Sequence, residues 1–291
     1  MRLERQSPCK INLLLNILGK RADGFHELET VLQPVNVCDT LVFERISQPA
    51  IELTCNQPSL PTDATNLVYR AATKFLEATK PATGVRIHLQ KRVPLAAGLG
   101  GGSGNAASTL LGLSELFGGP LSSQQLHDIA ASLGSDIPFF LQPQPALATG
   151  RGECIQPLQP FLALRDVFAV LIHPGFGIPT AWAYQNLSRF PDALNGRRGR
   201  AQRLVDLLNT PDLITASREF YNSLEAPALD KYPILALFQE FLRENDAAAT
   251  LMSGSGSSTF ALFQNSAAAE EIASRFRKKF GENCWIAIVP L

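Results

Sequence analysis

The chain has 291 residues, of which 26 are basic and 26 acidic, so its formal net charge at pH 7 is +0. A neutral balance argues against a nucleic-acid or membrane-surface partner, because both favour a basic excess. The length exceeds what a single hydrophobic core usually organises, and it predicts two domains with room for a cleft between them.

Extended segments open the chain. The apolar pattern predicts a buried strand over residues 8–18, a turn over 19–24 and a second extended run over 27–35. Residues 85–89 alternate apolar and polar side chains, the period of two typical of a half-buried strand. After a glycine cluster, apolar side chains recur at spacings of four, three and four over residues 106–117, which places them on one face of a helix.

The C-terminal half is predicted to contain a core strand over residues 168–172 and a final strand over residues 285–289, with helical stretches between them. Turn-prone prolines cluster near residue 158, and we place the change of domain there. The predicted domains are residues 1–158 and residues 159–291.

Five cysteines are scattered along the chain and never form a C-x-x-C pair. Such a set argues against a disulfide framework or a structural zinc site and indicates a reducing compartment. The first apolar stretch, residues 11–18, is interrupted by Asn12 and Asn16 and is too short for a membrane span, and no secretory pattern precedes it. We therefore expect a cytoplasmic protein.

The strongest chemical signal is the loop between the predicted strand and helix, in which five of the seven residues 98–104 are glycine. Such a backbone can approach a ligand closely, its amides can form an anion-binding nest, and the helix, which we expect to start near Ser103, adds the positive end of its dipole. We predict that the loop binds a polyphosphate; a plain turn before a helix is the ordinary alternative. The predicted nucleotide-binding residues are Pro94, Leu95, Ala96, Ala97, Gly98, Leu99, Gly100, Gly101, Gly102, Ser103 and Gly104.

Two other nucleotide motifs fail on the same residues. The sequence contains no Walker A pattern with its lysine. A dinucleotide fingerprint can be fitted only as Gly102, Gly104 and Ala107, and it lacks the acidic residue expected at a strand end about twenty residues later, since Asp128 lies in a helical pattern.

Residues 94–107 resemble the phosphate loop of the GHMP kinases. Three further segments, residues 7–15 with 24–26, residues 133–138 and residues 252–258, resemble the branch of that family that acts on a cytidine-diphosphate-linked methylerythritol. These four motifs occur in the family's order, and the match extends over most of the chain. Together they are far more specific than any one of them.

The resemblance implies an α+β fold with two domains. Residues 1–158 would form an ATP-binding domain with a left-handed βαβ unit, and residues 159–291 a ferredoxin-like substrate-binding domain. The implied reaction transfers the γ-phosphoryl group of ATP, with Mg²⁺, to the 2-hydroxyl of this small-molecule substrate in the non-mevalonate route to isoprenoids. The family loop commonly continues with two serines, so Ser103 alone is left here as a candidate for phosphate or Mg²⁺ contact.

Lys10 and Asp136 match the catalytic lysine and aspartate of the family. An alcohol is a poor nucleophile at neutral pH, so a carboxylate that takes its proton and an ammonium that stabilises negative charge form a sufficient pair. Taken alone, Asp136 fits a helix cap before Pro138 equally well, and Lys10 fits a surface lysine at a strand end.

The resemblance also implies four substrate contacts. Phe25 stands where the family usually has tyrosine, and its ring can stack on a pyrimidine whose polar edge His26 can hydrogen-bond. Tyr184 falls where a second aromatic completes the sandwich, although a helix-face core residue is an equal alternative. Asn12 matches a polar substrate contact, against the alternative of a strand asparagine whose hydrogen bonds are met internally.

Several readings stay open. Another GHMP kinase, for homoserine or mevalonate, shares the phosphate loop, but it has no cytosine for Phe25 and His26 to hold. A non-catalytic nucleotide- or RNA-binding protein on this fold would not need Lys10 together with Asp136. No histidine spacing predicts a protein-bound metal, and we expect a monomer or weak homodimer. Arg197, Arg198, Arg200 and Arg203 form a basic cluster that we interpret as a solvated loop.

Overall fold

The computed structural model describes residues 2–194 and 196–291. Strands along the described chain are β1 (Arg2–Lys20), β2 (His26–Ile46), β3 (Ile51–Cys55), β4 (Gly84–Gln90), β5 (Ala146–Gly150), β6 (Cys154–Pro157), β7 (Phe168–His173), β8 (Tyr221–Asn222), β9 (Ala249–Met252), β10 (Thr259–Phe263) and β11 (Trp285–Pro290).

The α-helices are α1 (Leu67–Thr79), α2 (Gly101–Leu116), α3 (Ser123–Leu133), α4 (Thr180–Asn186), α5 (Arg200–Leu208), α6 (Leu213–Ser217), α7 (Glu225–Lys231), α8 (Pro233–Arg243) and α9 (Ser266–Phe280). Single 3₁₀ turns occupy Pro138–Leu141, Leu162–Leu164, Leu187–Arg189 and Pro191–Ala193. Within the described ranges, no helix has the length and apolar character needed to cross a bilayer.

The described residues divide into two compact units, each built from separate stretches of chain. A first unit contains the residues through Cys9, Val37–Val93 and Gly100–Pro143, and a second unit contains Lys10–Asn36, Pro94–Leu99 and Gln144–Leu291. Strands β1 and β2 each contribute residues to both units. The predicted boundary at residue 158 therefore stays a prediction, which these interleaved units do not decide.

The first unit contains a βαβ unit. Strands β3 and β4 pair in parallel from Ile51↔Val85 to Cys55↔Leu89, and helix α1 connects them. The C-terminal part of β2 pairs antiparallel with the other edge of β4. In β4 the apolar positions are buried and the polar positions between them are exposed, as the alternation predicted.

Helix α2 packs tightly in the first unit. It begins at Gly101, two residues earlier than predicted, because Gly100 takes a left-handed conformation with φ +69 and ends the preceding loop. The predicted apolar face is confirmed, since Ala106, Leu110 and Leu113 are fully buried. At Gly112 the helix approaches Phe43 so closely that a β-carbon would lie 2.5 Å from its ring.

The second unit contains a four-stranded sheet in the order β11-β7-β10-β9. Each neighbouring pair is antiparallel, with registers that include Phe263↔Phe168, Thr259↔Met252 and Trp285↔His173. Helical segments join β7 to β9 and β10 to β11, which gives the β-α-β-β-α-β order of a ferredoxin-like domain. The predicted core strand and final strand are both confirmed.

The remaining strands of the second unit include the part of β1 that carries Lys10 and Asn12. The start of β2 pairs with β5 from Leu28↔Gly150 to Leu32↔Ala146, and β5 pairs with β6. Strand β1, which follows β2 in the sheet order, pairs in parallel with the short strand β8 at Leu15↔Asn222. Strand β1 therefore lies between β2 and β8, which fixes the direction of its side chains.

Candidate active site

Lys10 is buried on β1, with 3% of its surface exposed. Its Nζ donates to Oδ1 of Asn12 at 2.6 Å and to the carbonyl of Gly98 at 2.8 Å. Its backbone N–H donates to the carbonyl of Leu99 at 2.9 Å. The ammonium therefore lies against the first half of the glycine loop, and its burial argues against a surface lysine at a strand end.

Asn12 is buried two residues beyond Lys10, on the same face of the strand. Its Nδ2 donates to the hydroxyl of Thr30 at 2.9 Å, and that hydroxyl donates to the carbonyl of Leu14 at 2.5 Å. The amide is thereby oriented with its oxygen toward the ammonium. Sequence reasoning missed Thr30, because no local pattern distinguishes it from other strand threonines.

The first half of the glycine loop interlocks with the Gly/Ser segment that follows β9. The carbonyl of Gly98 also accepts from the Ser253 hydroxyl at 3.0 Å, and the Ser258 N–H donates to Ala97 at 3.1 Å. Gly98 has φ +75, and a β-carbon there would lie 2.0 Å from the Ser253 carbonyl. Only glycine fits this close approach.

In the first unit, the second half of the loop becomes the start of α2. The N-cap is Gly100, and no side chain caps the first turn, so its N–H groups retain the donor character that suits an anion. A β-carbon at Gly104 would lie 2.6 Å from the carbonyl of Pro8, so the helix start needs glycine to approach β1.

A buried polar cluster that the sequence did not reveal supports this helix start. Asp39 is fully buried and accepts hydrogen bonds from the ammonium of Lys91 and from Nδ2 of Asn105, the latter at 2.9 Å. The same carboxylate accepts the backbone N–H groups of Arg92 and Val93 at 2.7 and 2.9 Å. These bonds fasten the chain that enters the loop to the first turns of α2.

Asp136 is exposed, in the first unit, in the turn between α3 and the 3₁₀ turn Pro138–Leu141. The N-cap of that turn is Ile137, and no side chain caps it. A capping role for Asp136, the alternative left open by the sequence, therefore finds no support. Lys10 belongs to the second unit, and the pairing of these two residues in catalysis stays a prediction.

The predicted cytosine group lies in the second unit, where β2 begins. The rings of His26 and Tyr184 are 5.0 Å apart between centroids, with 37° between their planes. Phe25 is 50% exposed, and the guanidinium of Arg151 stands 4.7 Å from the centre of its ring. The structure thus brings His26 beside Tyr184, and it adds Arg151, which the sequence did not suggest.

Burial lowers the pKa of the His26 imidazole, and the positive charge of Lys20 lowers it further. At neutral pH the ring is therefore uncharged, with one nitrogen that donates and one that accepts. This is the form that can hydrogen-bond the polar edge of a neutral base. Tyr184 is half-buried and also packs against the core of the second unit, so its ligand contact stays a prediction.

Backbone hydrogen bonds to Glu29 fix the position of the arginine cluster. The Glu29 carboxylate accepts the N–H groups of Gly199 at 3.0 Å and Arg200 at 2.8 Å, where α5 begins. The side chains of Arg198 and Arg203 are 73% and 70% exposed, as predicted, but Arg200 and Arg203 lie in helix α5 and not in a loop. Among the described residues, no group of three His, Cys, Asp or Glu side chains is arranged to hold a metal ion.

Comparison with known proteins agrees with this geometry. Residues 66–143 match the family model described as GHMP kinases N terminal domain, and residues 204–282 match GHMP kinases C terminal. A 4-diphosphocytidyl-2-C-methyl-D-erythritol kinase from Citrifermentans bemidjiense is 35% identical, with 98% of this chain and 97% of the relative covered. One from Acaryochloris marina is 38% identical over 94% of this chain and 90% of the relative.

The chain belongs to the 4-diphosphocytidyl-2-C-methyl-D-erythritol kinase family. The crystal structure of a 4-(cytidine 5'-diphospho)-2C-methyl-D-erythritol kinase superposes with a TM-score of 0.81 at 34% identity, covering 99% of this chain and 100% of that one. A homoserine kinase from Cytophaga hutchinsonii reaches a TM-score of 0.76 at 20% identity, which shows a common fold alone. The GHMP kinase resemblance and the α+β fold class are confirmed.

Proposed function

We propose that this kinase transfers the γ-phosphoryl group of ATP to the 2-hydroxyl of 4-diphosphocytidyl-2-C-methyl-D-erythritol. The products are the 2-phosphate and ADP, in the non-mevalonate (methylerythritol phosphate) route to isoprenoid precursors. One observation carries the choice of acceptor: the uncharged His26 ring packs against Tyr184, next in the chain to a half-exposed Phe25. The phosphate loop itself is shared by kinases of many acceptors and does not choose among them.

In the proposed reaction, Asp136 accepts the proton of the 2-hydroxyl as its oxygen forms a bond to the γ-phosphorus. The bond between that phosphorus and the β–γ bridging oxygen breaks, and ADP leaves with the electron pair. Mg²⁺ bound to the nucleotide would neutralise part of the phosphate charge. The exposure of Asp136 supports its role, because a carboxylate without a capping duty is accessible to a substrate hydroxyl.

Lys10 is proposed to stabilise the negative charge that develops on the transferred group. Support comes from its rigid setting: Asn12 and the Gly98 carbonyl hold the ammonium in place before any substrate binds. A preorganised charge does not need to reorient during the reaction, which is the main source of such stabilisation. The backbone amides of residues 98–104 are proposed to bind the ATP phosphates, with Ser103 as the hydroxyl contact.

Phe25 and Tyr184 are proposed to hold the cytosine ring, His26 to bind its polar edge, and Asn12 to contact the acceptor. A cytoplasmic location and a monomeric or weakly dimeric state belong to the same proposal and rest on the sequence. The proposed binding partner, apart from ATP, is the small-molecule substrate itself.

The acceptor is tested by an ATP assay on the purified enzyme with 4-diphosphocytidyl-2-C-methyl-D-erythritol, mevalonate and homoserine. We expect kcat/KM for the cytidylyl substrate to exceed the other two, and phosphorus NMR to place the new phosphate on the 2-hydroxyl. A higher kcat/KM for mevalonate or homoserine would overturn the assignment.

A further inference from the structure

Asn222 is a buried residue that sequence reasoning passed over, with 2% of its surface exposed. Its Nδ2 donates to the carbonyls of Met252 and Gly254, both at 2.8 Å, and its Oδ1 accepts the N–H of Leu224 at 2.9 Å. Both N–H donors of one side-chain amide are therefore used on two carbonyls two residues apart. Among neutral side chains of this length, only asparagine offers two such donors.

The strand that carries Asn222 is fastened to the strand that carries Lys10. Strand β8 has only two residues, and it pairs in parallel with β1 at Leu15↔Asn222. The next residue extends the link, since the Ser223 N–H donates to Leu15 at 2.9 Å and its hydroxyl accepts the N–H of Ile17 at 3.0 Å. Asn222 therefore has a fixed register relative to β1.

The two carbonyls that Asn222 binds flank Ser253, whose hydroxyl donates to the Gly98 carbonyl. That same carbonyl accepts the Lys10 ammonium. Gly254 also lies close to Lys10 directly, because a β-carbon there would stand 3.0 Å from Nζ. Two routes thus link Asn222 to the ammonium, one through Ser253 and the Gly98 carbonyl and one through Gly254.

Glu225 holds the same segment from the other side. Its half-buried carboxylate accepts the Met252 N–H at 2.7 Å and Nε2 of Gln239 at 2.5 Å. Met252 is therefore fixed through both its N–H and its carbonyl. Such a doubly held backbone is stiffer than a Gly/Ser segment would otherwise be.

We propose that Asn222 is a positioning residue, which fixes Ser253 and Gly254 against β1 and so sets the place of the Gly98 carbonyl and the Lys10 ammonium. The inference rests on the proposed catalytic role of Lys10. Asn222 itself touches no reacting atom in this scheme. Its effect passes through the position of the ammonium, and small displacements of a catalytic group can cost about 10²-fold in rate.

The test is Asn222→Asp, which keeps the size of the side chain but removes both N–H donors. We expect kcat to fall by about 10-fold to 10²-fold, while the ATP dissociation constant and the KM of the acceptor change by less than about threefold. Asn245→Asp is the matched control, because Asn245 also donates through Nδ2 to a backbone carbonyl, that of Phe241 at 2.7 Å. We expect kcat of the control to equal that of the parent.

Rates measured over a range of pH distinguish a positioning role of Asn222 from a general loss of rigidity in the fold. Protonation of the new carboxyl restores one O–H donor, so the rate of Asn222→Asp relative to the parent should rise as the pH is lowered. If Asn222→Asp does not fold, Asn222→Ser replaces it; because the serine hydroxyl retains one donor, we expect a loss of kcat that is smaller but still larger than in the control. A kcat loss no larger than in the control, or a rise in both KM values at unchanged kcat, would overturn the proposal.

A readout without turnover keeps this result distinct from failure of the proposed function. In protein labelled with ¹⁵N at the lysine Nζ, the signal that disappears in Lys10→Met is that of Lys10. We expect this signal to shift in Asn222→Asp and to stay in place in Asn245→Asp, whatever acceptor the enzyme uses. An unmoved Lys10 signal in Asn222→Asp would contradict the positioning role even if the cytidylyl substrate is confirmed.

Discussion

The ammonium of Lys10 and the side-chain carbonyl of Asn12 are joined by a hydrogen bond of 2.6 Å. Because Thr30 accepts from the other end of the amide, Asn12 cannot turn away without losing a second bond. The Lys10 ammonium thus donates to an uncharged oxygen, Oδ1 of Asn12. These two hydrogen bonds fix the orientation of the amide and of the ammonium relative to β1.

Replacing Lys10 with methionine shortens the side chain by about one atom, keeps its unbranched shape and removes the charge. We expect kcat to fall by about 10² to 10³, the usual cost of losing one preorganised donor, with the ATP dissociation constant much less affected. Rapid-quench single turnover and calorimetry measure the two quantities. Lys74→Met is the control, because Lys74 is exposed on α1. A Lys10→Met enzyme as fast as this control would exclude charge stabilisation by Lys10.

Local patterns account for what the sequence could predict. The alternation in β4 and the helical spacing in α2 arise within a few residues of each other, so neighbouring positions suffice to detect them. The glycine loop is visible for the same reason. Its helix begins earlier than predicted only because Gly100 can take a positive φ, which composition alone does not reveal.

Contacts between distant residues account for what the sequence could not predict. Asp39 meets Asn105 across 66 positions, and Asn222 meets Gly254 across 32. Neither residue follows a motif or a period, so nothing in its neighbourhood marks it. Arg151 was missed in the same way, because its place over Phe25 depends on the pairing of β2 with β5.

Asp136→Asn preserves size but cannot accept a proton. We expect kcat to fall by about 10² to 10⁴, or roughly 3 to 5.5 kcal/mol of barrier, with both substrates still bound. Because Asp136 is exposed, the melting temperature should stay that of the parent. Asp128→Asn, at an exposed carboxylate on α3, is the control. Single-turnover rates at saturating substrates decide the matter, and a loss of less than about threefold would remove Asp136 from the general-base role.

Phe25→Ala removes a ring that is already half exposed, so the fold should tolerate it. We expect binding of the cytidylyl substrate to weaken by roughly 1 to 3 kcal/mol, the range for loss of a base-stacking aromatic, with ATP binding unchanged. Phe25→Tyr should be nearly neutral. Leu237→Ala serves as the control, since Leu237 is equally exposed at 50%. Calorimetric titration with each ligand separates the two effects, and equal losses for ATP and the cytidylyl substrate would contradict the assignment.

The depressed pKa of His26 gives a pH dependence with a definite sign. The imidazole of an unfolded histidine titrates at about 6.5. Burial and the positive charge of Lys20 hold the pKa of His26 below this ordinary value. The ring is neutral above both values, so the KM of the cytidylyl substrate should stay flat from pH 8 to about 6.5 and rise at lower pH. As the pH falls, the imidazole of His26 takes up a proton in the unfolded chain before it does so in the folded chain. This histidine therefore lowers the free energy of unfolding as the pH falls below about 6.5.

His26→Asn should remove the acid rise in KM and raise KM at pH 7, while the pH dependence of the ATP KM stays that of the parent. His127 on α3, whose side chain is 40% exposed, provides the control in the form His127→Asn. Steady-state kinetics at constant ionic strength from pH 5.5 to about 8 cover the window in which a histidine titrates. An acid rise that persists in His26→Asn would assign it to another group.

Two glycines of the phosphate loop should respond in opposite ways to alanine. At Gly98 the backbone has φ +75, and a β-carbon would lie 2.0 Å from the Ser253 carbonyl and 2.9 Å from the Gly256 nitrogen. At Gly102, inside α2, the nearest atom would be Cδ1 of Leu67 at 3.6 Å, an ordinary contact. Gly98→Ala must therefore displace backbone, and it moves the carbonyl that binds Lys10.

We expect Gly98→Ala to lower the free energy of unfolding by at least about 1 kcal/mol, the strain of a left-handed non-glycine residue, and to lower kcat with it. Gly102→Ala should hold the stability of the parent or raise it by up to about 1 kcal/mol, because alanine favours a helix interior over glycine. Urea unfolding followed by circular dichroism measures the stabilities, and ATP turnover of both variants is measured in parallel. Equal destabilisation by the two alanines would show that close approach at Gly98 is not what the loop requires.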